Sequence, residues 1–141
     1  MTNTDSNGAG SKAFEAATAA FHQALRVNDA ESLFEHVGDD VLLMPPGEAA
    51  VRGRNAMRDW YTRFLAQYRT SSLALFDREV FVGDGWAVEL GAYRWGLIPP
   101  AGGDETLDRG NYMQLWKRAA DGKWVFEREI WNSSAAADAT E

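Results

Sequence analysis

The stretch Gly110-Asn-Tyr-Met-Gln-Leu-Trp-Lys-Arg-Ala-Ala-Asp-Gly-Lys-Trp-Val-Phe-Glu-Arg-Glu-Ile-Trp-Asn-Ser133 decides the fold. Its side chains alternate with a period near two on both sides of Ala119-Ala-Asp-Gly122, a turn with glycine where a positive φ is needed. This alternation predicts two antiparallel strands joined as a hairpin. Similar stretches precede it, separated by Gly83-Asp-Gly85 and by residues 99–104. The pattern predicts four strands in a meander, at Ser72–Val82, Trp86–Ile98, Glu105–Arg118 and Trp124–Ser133.

The first half of the chain has the periodicity of helices. Apolar residues recur at spacings of three and four from Phe14 to Leu25, which predicts a helix over Lys12–Val27 with one apolar face. Asp39 and Asp40 are expected in a turn. The other expected elements are a short helix capped by Asp29, a short strand and a third helix, at Ala30–Val37, Val41–Met44 and Asn55–Tyr68.

Helices followed by long strands are typical of the α+β class. We therefore expect one domain over residues 12–133, with three helices packed on one face of a curved antiparallel sheet. No repeat or linker interrupts this region. Residues 1–11 and 134–141 are expected to be disordered tails.

Composition and charge exclude several functional classes. A net charge of −7 in 141 residues argues against nucleic-acid binding, which favours a basic surface. Cysteine is absent, which excludes disulfides and thiolate chemistry. His22 and His36 form no metal-binding motif, so neither a metal nor another cofactor is expected. The polar start resembles no signal peptide and no apolar run approaches the roughly 20 residues of a membrane helix, so we expect a cytoplasmic protein without a membrane partner.

Aromatic residues are abundant. Six tryptophans, seven phenylalanines and four tyrosines make up 12% of the chain. Such rings either fill a core or line a cavity, because ligand pockets favour aromatic walls. We interpret the excess of aromatic residues as the lining of a pocket for a small hydrophobic organic molecule.

Several turn sequences resemble a known family. The turns are Asn28-Asp29, Asp39-Asp40-Val41, Pro45-Pro-Gly47 and Gly53, and the stretch from Gly110 to Ser133 follows them. In these features the chain is similar to the NTF2-like superfamily, in particular to its SnoaL-like, ketosteroid-isomerase-like and DUF4440 groups. The similarity implies a cone-shaped α+β barrel of the cystatin or NTF2-like type, with a deep pocket at the wide end. It also implies a homodimer formed through the outer face of the sheet.

The same resemblance implies that one mechanism is absent. Ketosteroid isomerases use an aspartate base in the first strand, a tyrosine on the first helix and a protonated aspartate in the third long strand. The matching positions here are Pro45, Phe21 and Gln114. Proline and phenylalanine cannot transfer a proton, and glutamine can only hydrogen-bond. The isomerase mechanism is therefore not expected.

The last strand supplies the main candidate for chemistry. Glu127, Glu129 and Trp131 alternate onto one face, and the resemblance places Trp131 on the pocket wall. A carboxyl group in an apolar cavity has a raised pKa and can act as a general acid or base. Glu129 is the predicted catalytic group. The alternative is that both glutamates lie at the sheet rim, paired with arginines.

Other candidate residues surround this position. His22 lies beside the apolar face of the first helix and is expected either as a second catalytic group or as a packing residue. The pattern leaves open which face of Trp86–Ile98 meets the pocket. The predicted ligand-binding residues are Phe21, Met44, Trp60, Tyr93, Tyr112, Gln114, Glu127 and Trp131.

Three functions remain open from the sequence. The first is a cofactor-independent enzyme that isomerises, cyclises, dehydrates or hydrolyses a hydrophobic molecule, with Glu129 as acid or base. In that case Gln114 and Tyr112 would orient the substrate's oxygen. The second is a non-catalytic domain that binds a ligand in the same pocket. The third is a dimeric association module with a vestigial pocket.

Overall fold

The computed structural model describes residues 8–134. Most of the predicted tails 1–11 and 134–141, namely residues 1–7 and 135–141, lie outside the described residues, whereas residues 8–11 begin the first helix. Within the described range the helices are α1 (Gly8–Arg26), α2 (Ala30–Phe34) and α3 (Arg54–Gln67). The strands are β1 (Val37–Met44), β2 (Val51–Arg52), β3 (Arg69–Val82), β4 (Trp86–Ile98), β5 (Thr106–Arg118) and β6 (Trp124–Trp131).

The six strands form one open sheet in the order β2-β1-β6-β5-β4-β3. The predicted antiparallel meander is confirmed for β3 to β6. However, β1 pairs with β6 in parallel, so the sheet is mixed. The prediction of a purely antiparallel sheet is therefore wrong. The predicted α+β arrangement of three helices and one sheet is confirmed, but the sheet does not close into a barrel. Because no hairpin joins β1 to β6, no turn sequence indicates whether these two strands run parallel or antiparallel.

Residues 37–40 differ from the prediction. They were expected to end a helix and form a turn, but they begin β1, and Val37 pairs with Phe126 of β6. Val37 is buried by this pairing, which a local pattern could not reveal. The predicted cap of α2 is confirmed, since the Ser32 N–H donates to Oδ1 of Asp29 at 3.1 Å.

Aromatic side chains of α1 pack on the face of the sheet that the helices cover, here called the inner face. Phe14 is fully buried, and its ring meets those of Trp116 and Trp124 edge to face at 5.7 and 5.6 Å. Phe21 stacks on Phe126 at 4.6 Å. Each such pair stabilises the fold by about 0.5–1.5 kcal/mol beyond the contribution of the apolar area that it buries. Part of the aromatic excess therefore forms a solid core.

A β-bulge in β6 breaks the alternation on which the sequence analysis relied. Leu115 of β5 pairs with Arg128, but the next residue, Trp116, pairs with Phe126. Glu127 is the extra residue, so Phe126 and Glu129 both face inward although three positions separate them.

A second bulge lies in β3. Phe76 pairs with Ala92 and Glu79 pairs with Leu90, so Asp77 and Arg78 together lie opposite Gly91. Asp77 has a φ of 55°, in the left-handed region that few non-glycine residues adopt. The bulge directs the Arg78 side chain to the inner face, where it contacts Glu89.

We expect Phe14→Ala to lower the free energy of unfolding by about 3–5 kcal/mol, because it leaves a cavity among buried rings. The control is Phe81→Ala on β3, where the side chain is 47% exposed. That change should cost less than about 1 kcal/mol. Urea unfolding of both variants measures the difference, and equal losses would contradict the central role of Phe14.

Candidate functional site

A cavity of about 80 Å³, partly open to solvent, lies between the inner face of the sheet and the three helices. Its wall is mostly apolar and aromatic. The face of β4 that carries Glu89 and Tyr93 is the buried one, which answers the question that the sequence left open. The predicted site residues that line the cavity are Phe21, His22, Trp60, Tyr93, Tyr112, Gln114, Glu129 and Trp131.

Two predicted ligand-binding residues lie outside the cavity wall. Met44 pairs with Ile130, which is exposed on the outer face, and its neighbour Leu43 lines the cavity instead. Glu127 is the bulge residue of β6, and its carboxylate lies against Gly38. The predicted positions of both residues are wrong. For Glu127 the alternation was counted through the bulge of β6, and for Met44 the partner strand of β1 was unknown.

Strand register sets the polar part of the site. Glu89 of β4 pairs with Gln114 of β5, and Gln114 pairs with Glu129 of β6. Paired residues of neighbouring strands point to the same face of a sheet. The three side chains therefore form one row across the inner face, here called the inner row. Glu89 and Gln114 are buried, while Glu129 is partly buried and borders the cavity.

The amide of Gln114 has a fixed orientation. The indole N–H of Trp116 donates to Oε1 of Gln114 at 3.0 Å, so the amide nitrogen points the other way. That nitrogen donates to Oε2 of Glu129 at 2.9 Å and lies 3.2 Å from Nε2 of His22. Both amide hydrogens are thereby used.

His22 accepts from Gln114 at Nε2, so its proton is on Nδ1, 3.2 Å from the hydroxyl oxygen of Thr18. The Thr18 hydroxyl in turn donates to Oε1 of Glu89 at 3.0 Å. Burial lowers the pKa of His22 to about 4, although the charge of Glu89 and the main chain of Thr18 raise it. His22 is therefore neutral at pH 7.

Glu89 is fully buried and accepts hydrogen bonds from three residues, one of which is Thr18. Nε and Nη2 of Arg78 each donate to its carboxylate at 3.0 Å, and the Tyr112 hydroxyl donates at 2.6 Å. Burial opposes ionisation, but the bonds from Arg78 and Tyr112 prevail and lower the pKa of Glu89. Burial and the same carboxylate raise the pKa of Tyr112. Removing the Arg78 side chain would leave the buried carboxylate of Glu89 without its ion-pair partner.

No role was predicted for Arg78, Glu89 or Thr18. The signal in the sequence was the glycine at position 91, inside a strand. A Cβ at Gly91 would lie 3.0 Å from the backbone oxygen of Phe76 and 3.2 Å from the Tyr112 hydroxyl. Glycine is needed there because the bulge and Tyr112 both approach closely.

Glu129 differs from Glu89 although both belong to the inner row. Burial raises the pKa of Glu129 to about 7, the charge of Glu89 raises it further, and the bond from Gln114 opposes both effects. Its Oε2 is bonded to Gln114, while Oε1 has no hydrogen-bond partner among residues 8–134. A carboxyl group with these properties exists in both protonation states near neutral pH and can give or take a proton.

Aromatic rings narrow the cavity. Trp60 stacks on Phe64 at 5.8 Å and meets Trp131 edge to face at 6.0 Å, and Phe64 stacks on Trp95 at 5.1 Å. The three tryptophan rings border the cavity rather than fill it. The volume of about 80 Å³ is below the roughly 300 Å³ of a drug-sized site, so it suits a molecule of about one ring.

Two structural features are absent from residues 8–134. No group of three or more histidine, aspartate or glutamate side chains is arranged to hold a metal ion. No helix in this range is long and apolar enough to cross a membrane.

A mixed sheet that holds a small aromatic cavity beneath helices defines an α+β domain of the NTF2-like type. The family model of the SnoaL-like domain matches residues 18–127, and the chain belongs to this family. The resemblance drawn from the sequence is thereby confirmed at the level of the NTF2-like and SnoaL-like groups. No curated protein matches the sequence significantly.

Solved structures share the fold at low sequence identity. A ketosteroid isomerase-like protein from Erwinia carotovora atroseptica is 24% identical, with a TM-score of 0.75 over 84% of this chain and 92% of that one. A candidate scytalone dehydratase from Novosphingobium aromaticivorans is 20% identical, with a TM-score of 0.79 over 93% and 88%. A candidate calcium/calmodulin-dependent protein kinase II association domain from Xanthomonas campestris is 18% identical, with a TM-score of 0.68 over 93% and 89%.

Replacing Glu129 by glutamine should stabilise the protein more at alkaline than at acid pH. From the ordinary pKa of 4.5 up to about 7, only the unfolded wild-type chain ionises at this position, so its stability falls as the pH rises. Glutamine cannot ionise and avoids this loss. We expect the Tm of Glu129→Gln minus that of the wild type to increase between about pH 5 and pH 8. The same difference at both pH values would contradict the raised pKa.

Proposed function

We propose that this chain binds a small, largely apolar organic molecule in its cavity and exchanges a proton with it through Glu129. The observation that carries the proposal is the environment of Glu129. One of its oxygens is held by Gln114, and the other has no partner among the described residues. Its pKa of about 7 suits a general acid or base at neutral pH, where both forms are available.

The neighbours of Glu129 act as positioning residues in this proposal. Gln114 was expected to orient the substrate's oxygen, but both of its amide hydrogens are used by Glu129 and His22. Tyr112 was expected in the same role, and its hydroxyl is bonded to Glu89. His22 is neutral, and both of its ring nitrogens have partners, so it holds the Gln114 amide rather than transferring protons.

Similar structures support proton-transfer chemistry in this fold. They include a protein described as ketosteroid isomerase-like and a candidate scytalone dehydratase. Isomerisation and dehydration both need groups that give and take protons. The groups of the known isomerase mechanism are missing here, since Phe21 packs on Phe126 and Pro45 cannot act as a base. The chemistry would therefore depend on Glu129.

The wild-type protein should accelerate the exchange of α-protons of acetophenone or cyclohexanone with D₂O. The rate should rise with pH through about 7, because the ionised Glu129 is the base. Glu129→Gln should lower the enzymatic rate by about 100-fold or more. Proton NMR of the ketone measures the exchange.

The matched control is Glu127→Gln, which changes a carboxylate on the same strand outside the cavity wall and should leave the exchange rate unaffected. Ketone binding without accelerated exchange would favour the non-catalytic binding domain. Full exchange in Glu129→Gln would exclude Glu129 as the base.

A homodimer is the second proposal, supported by the outer face of the sheet. Leu90, Met113 and Ile130 lie side by side across three strands, and Met113 and Ile130 are 48% and 50% exposed. These residues also border a groove of about 500 Å³. Exposed apolar patches of this kind often mark protein interfaces. A candidate association domain among the similar structures supports the proposal.

We expect the wild type to be a dimer and the double variant Met113→Lys/Ile130→Lys to be a monomer, because two charges would be placed in the apolar patch. Size-exclusion chromatography with light scattering measures both masses. The control is Val27→Lys, since Val27 is 56% exposed and lies between α1 and α2. A monomeric wild type would contradict the dimer.

A further inference from the structure

Tyr61 was not among the predicted site residues, yet it contributes to the cavity wall. It lies on α3 and is 3% exposed. Its ring packs between aromatic neighbours, with Phe64 stacked at 5.9 Å and Phe34 at 6.2 Å. Its hydroxyl has no hydrogen-bond partner among residues 8–134.

Two other polar groups of the wall have partners within the protein, and Oε1 of Glu129, which has none among the described residues, belongs to a side chain that is only partly buried. The Tyr93 hydroxyl is bonded to Asp108 at 3.0 Å and to the backbone oxygen of Asn132 at 2.8 Å. The indole N–H of Trp95 donates to Thr70 at 2.9 Å. Among the cavity-lining residues, only Tyr61 has a buried polar atom without a partner in the described range.

An unpartnered buried hydroxyl needs an explanation, because native proteins pair nearly all such groups. A phenylalanine at position 61 would keep the ring packing without the desolvation of an oxygen. The hydroxyl is therefore difficult to explain as a packing group alone. Burial raises the pKa of Tyr61 to about 12, with Arg69 opposing and Asp29 adding to the effect, so the group is protonated at neutral pH. It is available as a donor.

We propose that the Tyr61 hydroxyl donates a hydrogen bond to an acceptor oxygen of the molecule that the cavity binds. The inference deepens the proposed binding function and depends on it. Tyr61 projects from a helix, whereas Glu129 projects from the sheet, so a ligand that contacts both carries two polar groups. The ligand class is a compound of about one ring with a carbonyl oxygen for Tyr61 and a hydroxyl group for Glu129.

The test uses two probes of nearly equal shape, 4-hydroxyacetophenone and 4-ethylphenol, which differ by the carbonyl oxygen. The wild type should bind the ketone about five- to tenfold more tightly, the value of one hydrogen bond to a neutral acceptor. Tyr61→Phe should abolish this preference and leave the affinity for 4-ethylphenol unchanged. Titration calorimetry or NMR titration measures the four dissociation constants.

Tyr68→Phe is the matched control, because Tyr68 follows the same helix, is 39% exposed and does not line the cavity. It should keep the preference for the ketone. A preference that survives in Tyr61→Phe would overturn the role of Tyr61 while leaving ligand binding intact. Binding of neither probe to the wild type would overturn the binding function and the Tyr61 assignment together.

Stability without ligand gives a second readout. Tyr61→Phe should unfold at the same temperature as the wild type or a higher one, because its hydroxyl has no bond within the described residues to lose. A clear decrease in Tm would show that the hydroxyl has a partner within the protein. That result would also contradict the proposal.

Discussion

Trp116 donates its indole N–H to Oε1 of Gln114, and this bond fixes the hydrogen-bond directions of the site. With the oxygen held, the amide nitrogen must face Glu129 and His22. That orientation sets the tautomer of His22 and connects it through Thr18 to Glu89. A reversed amide would place an oxygen against the Glu129 carboxylate and a nitrogen against the indole N–H, which is unfavourable on both sides.

The inner row shows how two carboxyl groups on one face of a sheet acquire different properties. Glu89 is enclosed by Arg78, Tyr112 and Thr18, so its charge is compensated and its pKa is lowered. Glu129 borders an apolar cavity with one donor, so its pKa is raised. Environments that separate two pKa values in this way are typical of sites with an acid or base function. Glu89 supports the structure, and Glu129 faces the cavity.

The predicted facing of side chains was correct where inward and outward residues alternate regularly along a strand. It was wrong where a β-bulge interrupts that alternation. Gln114 and Tyr112 lie on a regular part of β5, and both were placed on the cavity wall correctly. Glu127 was misplaced because the bulge shifts the alternation by one residue. Met44 was misplaced because the partner of β1 was unknown, and the role of Arg78 was missed because it depends on the second bulge.

The sequence by itself determined the three helices, five of the six described strands, the hairpin meander and the family, because periodicity and turn residues act between near neighbours in the chain. The two-residue strand β2 was not predicted. The sequence also placed Glu129 near a pocket. Only the tertiary structure decided the parallel pairing of β1 and the row formed by Glu89, Gln114 and Glu129. The same holds for the Tyr61 hydroxyl, which has no partner among residues 8–134. These features depend on the register between strands and on the packing of α3. Both are established by contacts between residues that are distant in the sequence.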